Sequence, residues 1–321
     1  MKKIVIAADL GGTNLRTAAV DENDAILFRT SRKTPRGEHA DEIVRAIVES
    51  ALECQKNCPE FAVKAISAAV PGTVSVECGL IFKAPNLPAL DNFQISAALE
   101  KELGIKAIIE NDANAAAIGE NWCGASKGFA DSITVMLGTG VGGGIIIDGK
   151  VLRGKDGTAG EIGHICVEPC GAACGCGSRG CVEQYSSASA IVRLAKEFAA
   201  RFPKSSLNQH SQLTAHNVYQ AGMAGDELAL EVFRQMGFYL GIALAGLINV
   251  LNPEAIIIGG GASAGWKLFF PHLKKTITQR TSREPAERAQ ILPAALGDDA
   301  GIIGAARLAF DCYFEAESKT H

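Results

Sequence analysis

Short apolar runs alternate along the chain with segments in which apolar residues recur every three or four positions. Residues 4 to 20, IVIAADLGGTNLRTAAV, join two apolar runs through a Gly-Gly turn and predict a strand, a tight turn and a second strand. Residues 133 to 147, ITVMLGTGVGGGIII, repeat that arrangement about 130 positions later, which suggests a duplicated architecture of two glycine-tipped β-hairpins. Between them, DEIVRAIVESALECQ has helical spacing, FAVKAISAAVPG reads as a strand ending in a turn, and ISAALEKELG as a helix closed by glycine. AIIEN then predicts a strand and DANAAAIGENW a helix. From Ser187 onward the pattern is mostly helical, clearest in ASAIVRLAKEFAARF and DELALEVFRQMGFYLGIALAGLINVL. A buried strand, AIIIGG, follows, GIIGAARLAFDCYFEA predicts a closing helix, and SKTH reads as a frayed tail. Strands alternating with helices place the chain in the α/β class.

Length and charge narrow the picture. A chain of 321 residues suffices for roughly two domains. Thirty-one basic against 35 acidic residues leave a net charge of −4, so no basic face is expected for a nucleic-acid backbone. Asp9 and the glycines interrupt the N-terminal apolar run before a signal-peptide core is complete, and FYLGIALAGLI falls short of the roughly 18 residues that span a bilayer. The expectation is a cytoplasmic protein without a membrane partner. In that reducing compartment cysteines are read as thiols or metal ligands rather than disulfides.

Candidate chemistry gathers first at the glycine tips. Gly138 to Gly143, GTGVGG, fits the dinucleotide fingerprint in form only, because the fingerprint must open a helix and GGIIIDG continues as a strand. What glycine tips do allow is close approach of backbone N–H groups to anionic oxygens, with Thr13 and Thr139 adding hydroxyls and Asp9 a partner for hydrated magnesium. The plain alternative is that these are only turn residues. A third run, GGGASAG from Gly259, lies between a strand and a helix, where α/β sheets bind ligands or simply pack closely.

Asp112 stands where strand AIIEN gives way to a helix. As an N-cap it is worth about 1 kcal/mol. As a general base it takes a hydroxyl proton during phosphoryl transfer, with Asn111 holding a neighbouring hydroxyl, and the two roles are compatible. Residues 160 to 183, GEIGHICVEPCGAACGCGSRGCVE, hold one histidine and five of the ten cysteines. Cys174, Cys176 and Cys181 with His164 supply a closed tetrahedral zinc site. Cys166 and Cys170 are spare candidates, an iron-sulfur set on Cys170, Cys174, Cys176 and Cys181 is a rival, and unliganded thiols are a third reading. A closed zinc is structural and would set Glu161 and Glu183 toward one pocket for sugar hydroxyls, against the plain reading of two surface glutamates.

These residues resemble the ROK family of repressors, open reading frames and sugar kinases. DLGGTNLR is similar to its first phosphate motif, LGTGVGGG to its second, IIIGGG to its adenosine-side loop, ENDANAAAIGE to its catalytic segment, and GEIGH with CGCGSRGCVE to its zinc and sugar signature. The resemblance implies a two-domain actin-like ATPase fold, also called ribonuclease H-like. It implies a small domain of residues 1 to 113 plus 302 to 321, and a large one of 114 to 301 that closes over sugar and ATP. It further implies ATP- and magnesium-dependent transfer of phosphate to the 6-hydroxyl of glucose, with Asp112 as base. N-acetylmannosamine, fructose or mannose are alternative substrates, and a non-catalytic sugar sensor is an alternative role. Asn111, Glu161, His164, Glu183 and, less specifically, Gly72 and Asn86 would bind sugar. Asp9, Gly11, Gly12, Thr13, Gly138, Thr139, Gly140, Gly260 and Gly261 would line Mg-ATP, and His164, Cys174, Cys176 and Cys181 would hold zinc. A homodimer or homotetramer is implied as well. Only eight residues precede Asp9, so the DNA-binding segment of the family's repressors is not expected.

Overall fold

The computed structural model describes residues 2–318, with side chains to residue 313. The first half contains β1 (Lys2–Leu10), β2 (Asn14–Asp21), β3 (Ile26–Lys33), α1 (Ala40–Lys56), β4 (Phe61–Val70), β5 (Thr73–Ser75), β6 (Leu80–Lys83), α2 (Ile95–Leu103), β7 (Lys106–Asn111) and α3 (Asp112–Cys123). Next come β8 (Ser132–Leu137), β9 (Val141–Ile147), β10 (Lys150–Val151), α4 (Glu183–Ser186), α5 (Ala188–Phe198), α6 (Ala215–Met223) and α7 (Glu227–Leu251). The chain closes with β11 (Ala255–Gly259), α8 (Trp266–Arg280), α9 (Arg283–Arg288), β12 (Gln290–Pro293) and α10 (Ala300–Ser318). Ser318 of the expected tail is the last residue of α10, and residues 319–321 lie outside the described residues.

Two five-stranded sheets have one connection pattern, β3-β2-β1-β4-β7 and β10-β9-β8-β11-β12. In the first, β1 pairs antiparallel with β2 and parallel with β4, which pairs parallel with β7. Alternation along β1 divides its side chains between two cores. Ile4, Ile6, Ala8 and Leu10 meet Ile43, Ile47 and Ala51 of α1 and Leu99 of α2. Val5 and Ala7, with Ala18, Ala65 and Ala69 of neighbouring strands, meet Ile302, Ala305, Ala306 and Ala309 of α10. The small side chains on that second face let α10 lie close to the sheet.

By density of contacts the chain divides into two compact units. Unit 1 is Met1–Gly128, Gly144–Gly160 and Ala295–His321; unit 2 is Phe129–Gly143 and Glu161–Ala294. The division therefore differs from breaks at 113 and 302. The reason is packing: a Cβ on Gly304 of α10 would overlap the Ala115 carbonyl of α3, and one on Gly119 of α3 would collide with the Ala300 carbonyl. Two helices that close belong to one body. Buried Glu120 of α3 reinforces this by accepting backbone N–H groups of Ala125 at 2.7 Å, Ala295 at 3.1 Å and Leu296 at 2.9 Å.

In unit 2, β8, β11 and β12 are parallel neighbours, and Ala255, Ile256, Ile257 and Ile258 of β11 are fully buried. The 25-residue α7 reaches a mean hydropathy of 1.3 in its best window, enough by length and composition to cross a membrane, although no uninterrupted apolar run within it is that long. Yet 61% of that window is buried within the fold, with Val232, Phe233, Met236, Leu240 and Leu244 inside, which accounts for the hydropathy as core packing.

Candidate functional site

The candidate residues of unit 1 gather at the C-terminal edge of its parallel strands. Asp9 of β1 is level with Ala69 of β4, which is level with Glu110 of β7, and Val70 is level with Asn111. At ordinary strand spacing this puts Asp9 and Asn111 about 10 Å apart on the edge where open α/β sheets bind ligands. Burial raises the Asp9 carboxyl above its usual range, opposed by the Arg16 guanidinium and assisted by Asp298. A raised value marks a carboxylate short of compensating charge, which a cation would supply.

The tip between β1 and β2, Gly11 to Thr13, is held from β3 and the residues after it. Thr34 donates its hydroxyl to the Gly11 carbonyl at 2.6 Å and its N–H to the Thr13 carbonyl at 3.0 Å. Gly12 lies against Asn86, where a Cβ would come within 3.1 Å of the Asn86 Cβ. Arg36, absent from the sequence-derived set, donates to the Gly12 carbonyl and the Thr13 hydroxyl at 3.4 Å each. Its only sequence signal is a basic residue in KTPRG, indistinguishable from a surface charge.

Asn111, not Asp112, is the N-cap of α3. Its Oδ1 accepts the N–H groups of Ala113 at 2.9 Å and Asn114 at 3.1 Å, while its Nδ2 donates to the Gly72 carbonyl at 2.9 Å. Gly72 has φ +102°, and a Cβ there would overlap the Lys83 carbonyl, so the turn needs glycine. Gly72 and Asn111 are thus brought together, and one Nδ2 hydrogen of Asn111 is left for another acceptor. Asp112 is the exposed first residue of the helix, its Oδ1 accepting the Ala113 N–H at 2.9 Å. The cap role that competes with its use as a base is filled by its neighbour.

In unit 2 the second tip and the sugar-signature glutamate meet. Glu183 accepts the Val141 N–H at 2.9 Å, and a Cβ on Gly140 would collide with the same carboxylate. Gly138 and exposed Thr139 complete that tip. Gly260, at φ +83°, passes so near the end of β8 that a Cβ would sit 2.6 Å from both the N and O of Leu137. The run Gly260 and Gly261 therefore lies beside the tip at Gly138. A Cβ on Gly163 would overlap the Val141 carbonyl, which sets the Glu161 to His164 turn against the same hairpin.

His164, Cys174, Cys176 and Cys181 bring one ligand atom each to within 4.8 Å of one another. Cys176 Sγ and Cys181 Sγ are 3.7 Å apart, as are Cys174 Sγ and His164 Nδ1. That is too long for a disulfide. It matches the edges of a zinc tetrahedron, about 3.8 Å between two sulfurs and about 3.6 Å between sulfur and nitrogen for the usual ligand distances. Cys166 and Cys170 are exposed and outside the set, so the iron-sulfur combination that needs Cys170 is not the one assembled. With Nδ1 among the sulfurs, His164 Nε2 stands 3.9 Å from Glu161 Oε2, on the ring edge away from the cysteines. One imidazole can thus serve a metal and a polar ligand through different nitrogens.

Unit 1 also has a groove of about 1320 Å³ whose lining contains none of these residues. Three of its cations are already paired: Lys106 with Glu100 at 2.8 Å, Arg307 with Asp311 at 2.8 Å and Arg153 with Glu110 at 2.7 Å.

Residues 5–311 match the pattern of the ROK family. A glucokinase of Thermotoga maritima is 34% identical over 310 residues, covering 95% of this chain and 96% of the relative. A xylose repressor of Caldicellulosiruptor bescii is 29% identical, covering 94% of this chain and 76% of the repressor. Among solved structures, a ROK family glucokinase from Streptomyces griseus in complex with glucose and AMPPNP superposes with TM-score 0.82 at 36% identity, covering 96% of this chain and 99% of that one.

Proposed function

Because this chain belongs to the ROK family, we propose that it is a hexose kinase that transfers the terminal phosphoryl group of Mg-ATP to the 6-hydroxyl of a sugar, glucose foremost. The observation that carries the reading is at α3: Asn111 satisfies the helix end, and Asp112 presents an exposed carboxylate at the ligand-binding edge of the sheet. In the reaction Asp112 takes the proton of the sugar hydroxyl as its oxygen bonds to the γ-phosphorus and the bond to ADP breaks. Glu161, Glu183 and His164 Nε2 hold ring hydroxyls, and Asn111, Gly72 and Asn86 complete the sugar contacts. The tips at Gly11 to Thr13 and Gly138 to Gly140 would offer main-chain N–H groups to the phosphates, apart from those of Gly11 and Gly138, which donate to the carbonyls of Asn14 and Gly140, and Gly260 and Gly261 would lie along the nucleotide. Asp9 would face a magnesium ion, which when bound would supply neutralisation of phosphate charge.

His164 Nδ1, Cys174, Cys176 and Cys181 would hold a zinc ion, and with four protein ligands its part would be structural, fixing the loop that carries Glu161 and Glu183. The relatives include repressors as well as kinases, so the discriminating experiment is sugar-dependent release of ADP across a panel of glucose, mannose, fructose and N-acetylmannosamine. Turnover fastest on glucose is expected. Turnover favouring another member moves the substrate, and no ADP from any of them removes the kinase reading in favour of a sugar sensor. Asp112→Asn is expected to lower kcat by about 10²- to 10⁴-fold with sugar binding retained; near-normal turnover would remove the base from this residue.

A further inference from the structure

Glu110, two residues before Asp112, ends in a carboxylate only 1% exposed. Its Oε2 accepts Nε and Nη2 of Arg153, each at 2.7 Å. Its Oε1 accepts the backbone N–H of Asn111 at 3.0 Å and Nδ2 of Asn114 at 3.2 Å. Asn114 is itself 1% exposed, and its amide orientation is dictated by this acceptor, since the flipped form would set oxygen against carboxylate. One buried carboxylate therefore grips residues on both sides of Asp112.

Neither the strand nor the helix needs it. The side chain of Asn111 already caps α3, and a well-packed apolar pair is commonly as stable as a buried ion pair. Arg153 leaves the short strand β10 and closes a loop in which Ala159 donates to the Arg153 carbonyl at 3.1 Å. That loop leads along the chain to Glu161, eight positions beyond Arg153. The side chain of Arg153 is one-third exposed, at 33%, so the cation reaches solvent while the carboxylate does not.

We propose that Glu110 and Arg153 are a positioning pair for Asp112: Arg153 holds the Glu110 carboxylate in place through its two contacts, and Glu110 fixes Asn111 and Asn114 so that the carboxylate between them points at the acceptor hydroxyl. The inference rests on the reading of Asp112 as the base. It adds that the orientation of that base is set by a buried contact within unit 1. Displacement of a reacting group by about 1 Å can lower a rate about 100-fold, so loss of this grip acts on kcat while ATP is bound by other residues.

Removing Arg153 alone strands a charge in the interior and threatens folding, so the test uses two uncharged pairs. Glu110→Gln with Arg153→Met keeps an amide oxygen for Asn111 and Asn114. Glu110→Met with Arg153→Met removes it while filling similar volume. With melting temperatures measured for both, the Gln pair is expected within about 5-fold of wild-type kcat and the Met pair about 30- to 100-fold below it, each with KM for ATP within about 3-fold. Equal kcat in the two pairs, or wild-type kcat in the Met pair, overturns the proposal. Wild-type ADP release with hexoses is measured first, so that absence of kinase activity is recognised as failure of the functional reading. In that event amide exchange of residues 110–114 decides: exchange at least about 10-fold faster in the Met pair than in the Gln pair supports the grip, and equal exchange overturns it.

Discussion

At the level of single residues, the polar groups of the candidate site are mostly committed to two tasks at once. Asn111 caps a helix and reaches Gly72, Glu183 receives a hairpin N–H, and His164 turns one nitrogen to sulfur and the other to Glu161. Asp9 is the exception, a carboxylate whose burial raises its pKa in spite of Arg16. A raised folded value means that the folded chain binds this proton more tightly than the unfolded chain. The associated stability is complete below the ordinary value of 3.8 and is lost as pH rises through the folded value. Asp9→Asn is therefore expected to melt above wild type near neutral pH, with the gap closing in acid, and to lose activity. A lower melting temperature at neutral pH would contradict the assigned cause. The residue types and their order were legible in the chain because each motif is local. Arg36, Glu110 and Arg153 were not, since Arg153 meets Glu110 across 43 positions and no spacing rule links an arginine after one strand to a glutamate ending another.

Among elements, hydrophobic spacing found the long helices and the buried strands because each presents one period over many residues. It missed β3, β5, β6, β10 and β12, which are short or lie at sheet edges where apolar and exposed positions mix. The family resemblance, not the spacing, implied a first domain break at 113, just inside α3, and the packing puts the division elsewhere. What joins α3 to α10 is an absence of side chains, and glycine in a helix is otherwise read only as a weak helix former. Gly304→Ala is expected to destabilise by about 1–3 kcal/mol because the methyl meets the Ala115 backbone, which cannot give. Gly246→Ala, on an exposed position of α7 with nothing within 4 Å, is expected to stabilise by about 0.5–1 kcal/mol. Thermal or urea melts of the two variants check both signs, and similar effects would undo the packing account of α3 and α10.

On the scale of the whole molecule, the cysteine loop joins chemistry to stability. Bringing three sulfurs and an imidazole together without a cation is unfavourable, and the metal that fits them would contribute folding free energy to unit 2. Chelation, or Cys176→Ser, is accordingly expected to lower the melting temperature and to weaken sugar binding together, as read by calorimetry with and without added zinc. A metal-free protein with unchanged melting and unchanged sugar affinity would separate the loop from both. The cluster was legible because cysteines 174, 176 and 181 lie near one another in sequence; spacing alone left Cys166 and Cys170 as spare candidates, the family resemblance implied His164, and the folded loop assembles that set. The chain also passes between its two compact units four times, at residues 128, 143, 160 and 294. Neither unit is a contiguous stretch of coding sequence, so neither can be cloned as a simple fragment or exchanged with a relative's by one recombination event. New sugar preferences in such a chain must arise by point changes and loop replacements within an intact whole.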